Sequence, residues 1–337
     1  MQSILGVTAP FFALVLLGWV VAYRDMLPRD AVPGLNYFVL LFALPCMLFR
    51  LSSTTPIAQL LDGSVVLVYL GSALAIVLLA TARARQSHMD WNDAAFGALV
   101  AAFPNSGFMG VPLVVALLGP AAAAPAIVAL ALDMVVTSSL CIALAQGRAV
   151  HSGVGAEHAA RDALLRSLRR MATNPLPWAI ALGTLSSAVG LLPPAPLMRV
   201  VDMLAAAASP VALFASGAML ARKPPTAQTP LPAHLGLAEL VACKLLLHPL
   251  LVGVAGYMAM RAGLPIKPFA VAVLVLIAAL PSASNVPMLA ERFGANGQRL
   301  ARVVLLSTVS AFISFTAIVA GLHVAAPAAL QVATTPR

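Results

Sequence analysis

Nine residues, Pro104 to Pro112 (PNSGFMGVP), interrupt an apolar run that otherwise extends from Asp93 to Leu118. Each proline lacks a backbone donor and clashes with the turn before it. Gly107 and Gly110 permit backbone shapes that other residues resist. A second interruption comes late in the chain, Ala278 to Leu289 (AALPSASNVPML), with Pro281, Ser282, Ser284, Asn285 and Pro287. Irregular backbone at membrane depth is tolerated only where protein buries it or a water-filled cavity faces it. A pair of interrupted apolar segments, one in each half of a chain, points to a transporter binding site.

That argument needs the runs to be membrane-spanning, and composition supplies this. Of 337 residues, 61% are hydrophobic and 9% charged, against about 25% charged in a soluble domain. Continuous runs, not ~10-residue alternating segments, exclude a transmembrane barrel. The fold class is therefore an all-α polytopic membrane protein. The net charge of +9 has no basic stripe or aromatic platform with it, so nucleic acid is not expected as a partner; the arginines cluster between apolar runs, as topology signals do. Cys46, Cys141 and Cys243 sit inside apolar runs at unrelated spacings, which reads as small core residues and neither metal ligands nor disulfides.

A spanning helix takes roughly 20 apolar residues. Ten such runs are legible, at 3–23, 32–49, 64–82, 93–118, 122–146, 175–191, 197–221, 236–260, 268–292 and 300–323. The first lacks a basic start and a small-residue cleavage site, so it is expected to be a membrane helix and not a signal peptide. The longest polar stretch follows the fifth run. The expected organisation is a first five-helix repeat (1–146), a basic linker (147–173), a second five-helix repeat (174–323) and a tail (324–337). The interruptions occupy the fourth position of each half. Asn36 with Pro45 in the second run and Asp202 with Pro210 in the seventh are a further echo. Because five is odd, the repeats must be inverted. With the N-terminus outside, fourteen Lys and Arg fall on the cytoplasmic side and five on the outer. This positive-inside bias puts both termini outside and the linker in the cytoplasm. Residues 159–171 of that linker form an amphipathic stretch expected to lie on anionic headgroups of the bilayer.

A broken helix exposes carbonyls at its first end and amides at its second. The amide end carries roughly half a positive charge and is a ready anion site. The candidate substrate-binding residues are Pro104, Asn105, Ser106, Gly107, Pro281, Ser282, Ser284 and Asn285. The plainer alternative is that proline and glycine only kink packed helices while the asparagines mend free backbone groups. Few ionisable residues lie deep in the runs. Asp133 is mid-run in the fifth; Lys244 and His248 stand four apart on one face of the eighth. A charge at the bilayer centre costs ~3 kcal/mol or more on insertion scales, so it is usually paired or functional. Lys244 is expected either to attract an anionic substrate or to balance Asp133. Asp133 and His248 are the candidates for proton or ion coupling, with a buried structural pair and a helix-packing histidine as the alternatives. No GxGxxG with a following acidic residue, Walker sequence, CxxC or HExxH is present, and serines without a neighbouring His and Asp do not make a nucleophile. No enzyme, cofactor or metal is expected.

The segments LNYFVLLFALPCMLF, PNSGFMGVPLVVALLG, NPLPWAIALG, PVALFASGAML, KLLLHPLL and ALPSASNVPMLAERFG together resemble the auxin efflux carrier family, a relative of the bile acid/sodium symporters, over nearly the whole chain. The resemblance implies ten helices in two inverted five-helix repeats. The first, second, sixth and seventh helices would form a scaffold, and the other six a core that moves like an elevator in a homodimer. The broken fourth and ninth helices would cross and hold the substrate, with Asn105 on its carboxylate and Pro104 and Pro281 at the crossing. Bacterial members resemble transporters of malonate, malate and other small carboxylates. The third run here lacks the acidic and lysine residues of the plant members, and the linker is short, both of which argue against auxin itself. The expected function is a secondary carrier of small organic anions in the inner membrane, coupled to protons through Asp133 or alternatively to sodium. A sodium-coupled bile-acid-type symporter for a bulkier anion, and a passive channel or non-transporting sensor, are the alternatives.

Overall fold

The computed structural model describes residues 2–28, 30–146, 174–221 and 236–325. The expected linker, with its amphipathic stretch at 159–171, the connector at 222–234 and the tail beyond 325 lie outside the described residues. Within them all regular structure is helical, apart from one isolated bridge between Pro104 and Ser282.

The ten runs appear as helices, with the fourth and ninth each split in two. The first is α1 (Gln2–Tyr23), the second α2 (Ala31–Ser53) and the third α3 (Gly63–Gln86). The fourth run divides into α4 (Trp91–Ala102) and α5 (Ser106–Leu118). The fifth is α6 (Pro120–Ala145), the sixth α7 (Pro175–Val189) and the seventh α8 (Ala195–Ala221). The eighth is α9 (Leu237–Arg261). The ninth divides into α10 (Pro268–Ala278) and α11 (Val286–Glu291), and the tenth is α12 (Gly297–Ala325). Seven helices among the described residues are long and apolar enough to cross a membrane, and three shorter apolar helices accompany them. The chain is a multi-pass membrane protein.

Local chemistry sets the ends. Asp62 accepts from the Ser64 amide at 2.9 Å, Asp90 from that of Asn92 at 3.0 Å, and Asn174 from that of Leu176 at 3.0 Å. Each fills an orphan donor at a helix start. Burial then separates two kinds of helix. α4 is buried at every position from Ala94 to Ala102, and α10 at every position from Val271 to Ala278. A helix that is apolar and enclosed all round belongs to an interior. α1 and α7, by contrast, leave large apolar side chains such as Leu16, Leu17, Leu182 and Leu185 exposed. α1 packs on α8, α2 on α7 and α8, α3 on α4 and α9, and α9 on α10. The two interrupted segments thus lie among other helices, where irregular backbone can be tolerated.

Candidate functional site

Proline makes the first break, and the second break repairs it. Pro104 has no N–H for the carbonyl of Val100, four residues back. The Ser282 hydroxyl donates to that carbonyl instead, at 2.7 Å. The strands of the two breaks run antiparallel here. The Asn105 amide donates to the Pro281 carbonyl at 2.8 Å, and the Ala283 amide to the Phe103 carbonyl at 3.0 Å. These bonds flank the Pro104–Ser282 pair without involving the Pro104 nitrogen, which is the geometry open to a residue with no donor. The Ser282 amide donates to Ser307 Oγ of α12 at 3.2 Å. Ser284 Oγ lies 3.3 Å from Ser216 Oγ of α8.

This accounting carries a prediction. Ser282→Ala leaves the Val100 carbonyl unpaired in a dry interior, so stability falls by about 1–3 kcal/mol. Pro104→Ala restores the missing N–H, so in that background the same serine substitution should cost less than about 1 kcal/mol. A double-mutant cycle on thermal unfolding measures the difference, and equal costs in both backgrounds would remove Ser282 as the replacement donor.

Downstream of the break, α5 opens with a π turn over Ser106–Gly110, and the Val111 amide reaches back to the Ser106 carbonyl. The Met109 and Gly110 amides both donate to the Asn105 carbonyl, at 3.1 and 3.0 Å, and the Ser106 amide turns to that of Pro104 at 2.7 Å. Among the described residues no carbonyl takes the Gly107 and Phe108 amides. A π turn of this kind recurs where backbone geometry serves a site. At Gly110 a Cβ would fall 2.6 Å from Leu280 Cδ1 and 3.0 Å from Ile277 Cδ1, so those side-chain ends would have to shift.

A cavity of about 280 Å³ opens beside this turn. Its wall includes Phe103, Pro104, Asn105, Gly107 and Phe108 from the first break and Ala283 and Asn285 from the second. Leu40, Leu41 and Leu44 of α2, Leu130 and Met134 of α6, and Asn174, Pro175 and Leu176 at the start of α7 complete it. Asn105 is 8% exposed, and its side-chain amide makes no hydrogen bond to the described residues. Among the described residues no cationic side chain lines the cavity. Of the expected site residues, Pro104, Asn105, Gly107 and Asn285 line it. Ser106, Pro281, Ser282 and Ser284 are buried and off the wall; Pro281 and Ser282 bond across the breaks, Ser106 within the first and Ser284 to α8.

Lys244, Asp133 and His248 lie off the cavity wall in a cluster of their own, each wholly buried. Asp133 accepts from Tyr69 Oη of α3 at 2.7 Å and from Thr137 Oγ1 at 3.4 Å. Lys244 Nζ donates to the Ala278 carbonyl, at the end of α10, at 2.7 Å, and lies 3.2 Å from His248 Nδ1. Among the described residues the ion pairs are Arg50 with Asp202 at 3.7 Å and Arg83 with Glu239 at 2.7 Å. Asp133 and Lys244 thus interact through space and not in direct contact. Both begin or sit in further π turns, Asp133–Thr137 and Cys243–Leu247.

Tyr69, Ser307 and Asn174 escaped the sequence reading. Tyr69 had a signal, since tyrosine favours the membrane interface and one placed mid-run needs a partner for its hydroxyl. A larger cavity, about 470 Å³, lies where α3, α9 and α12 meet near Arg83, Glu239 and Arg299. It holds no break residue, and Arg83 and Arg299 are engaged with Glu239 and Met89 Sδ.

With this geometry in place, likeness to other proteins becomes informative. A family model described as "Membrane transport protein" matches residues 3–319. The chain belongs to this family, the auxin efflux carriers. This transporter is 31% identical over 312 residues to a Rhizobium meliloti (strain 1021) protein described as "Putative malonate transporter", across 92% of each chain. It is 27% identical over 223 residues to "Uncharacterized transporter YfdV" of Escherichia coli (strain K12), across 64% of this chain and 68% of that one. A Shigella flexneri protein of the same description matches equally. The family and these relatives are transporters and not enzymes.

Proposed function

We propose that this protein is a secondary active carrier of small organic anions, malonate-like dicarboxylates foremost, with the substrate held at the meeting of the two breaks. One observation carries the reading. At the first break a donating end is left without a backbone acceptor among the described residues, beside a cavity. The carbonyls of Val100, Phe103, Ala278 and Pro281 are all taken, whereas the Gly107 and Phe108 amides and the Asn105 side chain remain available at the positive end of α5. A carboxylate supplies acceptors for all three. The volume, about 280 Å³, lies at the small end of ligand sites, which favours a short dicarboxylate over a bulky bile acid. The Rhizobium relative, described as "Putative malonate transporter", points the same way.

The fuller reading has ten membrane helices in two inverted repeats, with α4–α5 and α10–α11 as the crossing pair. It has elevator-type alternating access in a homodimer of the inner membrane, with both termini outside and the linker cytoplasmic. No nucleotide motif is present to drive transport, so an ion gradient does, with a proton passing through the Asp133 and His248 cluster as the first reading and sodium as the second. The test is a thermal-shift panel of mono- and dicarboxylates on purified protein, followed by counterflow in proteoliposomes. Saturable stabilisation by malonate and exchange of labelled malonate are expected. A panel without response, or binding without exchange, would remove the carrier reading.

A further inference from the structure

Three elements pack against the π turn that carries Lys244, namely α3, α4 and α12, and α10 meets it through the Ala278 carbonyl. The titratable groups facing it are few. α3 supplies Tyr69, hydrogen-bonded to Asp133 of α6, and α9 adds its own His248. α10 has no titratable residue, and those of α4 and α12 whose side chains are described, Asp93, Arg299 and Arg302, lie at helix ends by the larger cavity. Lys244 Nζ therefore stands alone as a cation, on the Ala278 carbonyl at 2.7 Å and His248 Nδ1 at 3.2 Å.

Both partners are acceptors placed as ligands. The Ala278 carbonyl would serve the Ser282 amide in an unbroken helix, but that amide turns to Ser307, leaving the negative end of α10 bare. An ammonium can only donate, so His248 Nδ1 must present its lone pair and carry its proton on Nε2. That nitrogen is buried without a partner, a cost that fixing Nδ1 toward a cation explains. The bare carbonyl end of a half-helix is where coupling cations bind in carriers built from discontinuous helices. Both acceptors are uncharged, so the site suits a monovalent charge.

We propose that Lys244 is a tethered cation: its ammonium occupies a monovalent-cation site formed by the Ala278 carbonyl and His248 Nδ1 beside Asp133, so the protein works without sodium and acquires a need for it when the ammonium is removed. This rests on the carrier reading for its link to transport, but the site itself is readable without transport.

The experiment uses full-length protein and Lys244→Met, which keeps the volume and removes the charge. Thermal midpoints are measured in choline chloride, sodium chloride and methylammonium chloride at matched ionic strength. The wild type is expected to be indifferent to the salt. Lys244→Met is expected to have a depressed midpoint in choline that rises saturably with sodium or methylammonium, and Lys244→Arg to behave as wild type. A variant that yields folded protein only in sodium or methylammonium supports the site equally. A variant that fails in all three salts, or is stable and indifferent to them, overturns it, as does a wild type stabilised by sodium. Uptake of malonate is read in parallel. In choline, Lys244→Met should lose it by about a hundredfold, the scale of removing one partner from a buried charge, and regain it in sodium. A wild type that moves no substrate counts against the carrier reading and leaves the midpoints to decide the site.

Discussion

Asn105→Asp is expected to abolish malonate binding while leaving the protein as stable as before. The two side chains have the same shape, so the cavity wall does not change. The new carboxylate meets two partners with opposite consequences. Toward the amides that open α5 it is favourable, worth about 0.3–1 kcal/mol at a helix N-terminus. Toward an anionic guest in the same cavity it is a like charge in a poorly solvated place, which costs several kcal/mol, or at least about a hundredfold in affinity. Structural damage would lower stability and affinity together, whereas a substrate contact moves them apart. The check is a pair of measurements on one preparation, the unfolding midpoint without ligand and the malonate dissociation constant. Unchanged affinity would show that Asn105, although 8% exposed and on the wall, does not face the guest.

Asn105 was legible before any coordinates because proline and glycine punctuate an apolar run so strongly. The same punctuation located all ten runs to within a few residues of the helices observed. The interior of each break was less legible. The proline and glycine pattern does not mark where the second half of the first broken run begins; α5 begins at Ser106, where a π turn lets the Met109 and Gly110 amides share the Asn105 carbonyl. Such a turn adds one residue to a helical circuit and leaves no compositional mark. The serines have a structural role that the sequence did not show. Ser282 reads as a hydroxyl for a substrate, yet it replaces the donor that Pro104 lacks, a pairing between residues 104 and 282 that no local pattern reveals. Lys244 was read as either a substrate lure or a partner for Asp133; it caps the end of α10, off the cavity wall, and acts on Asp133 through space. Long-range hydrogen bonds decide all three, and they exist only after the helices are packed.

The last expectation concerns the packing that carries the break. α1 and α8 approach until glycine is the limit on both sides. A Cβ on Gly217 would fall 1.9 Å from the Val15 carbonyl oxygen, and one on Gly18 would fall 2.0 Å from that of Phe214. Carbon and oxygen in favourable contact sit about 3.3–3.6 Å apart, so even alanine forces the backbones apart by more than 1 Å on that scale. Small residues at membrane helix interfaces exist for such approach, since apolar burial gives no drive between helices in lipid. Gly217→Ala is therefore expected to destabilise by about 3 kcal/mol, the upper part of the overpacking range. Gly71→Ala, with nothing within 4 Å of its Cβ, should be neutral or gain about 0.5–1 kcal/mol from helix propensity. The direction of the relief also follows. α8 is held from within, Ser216 lying 3.3 Å from Ser284 of the second break, whereas α1 exposes Leu16, Leu17 and Val20 and can move outward. The folded fraction of Gly217→Ala should consequently bind malonate as the wild type does while its midpoint drops. A midpoint equal to that of Gly71→Ala would mean that the close approach of α1 and α8 does not limit stability; lost binding in folded protein would mean that α8 yields first, and that the break depends on this contact.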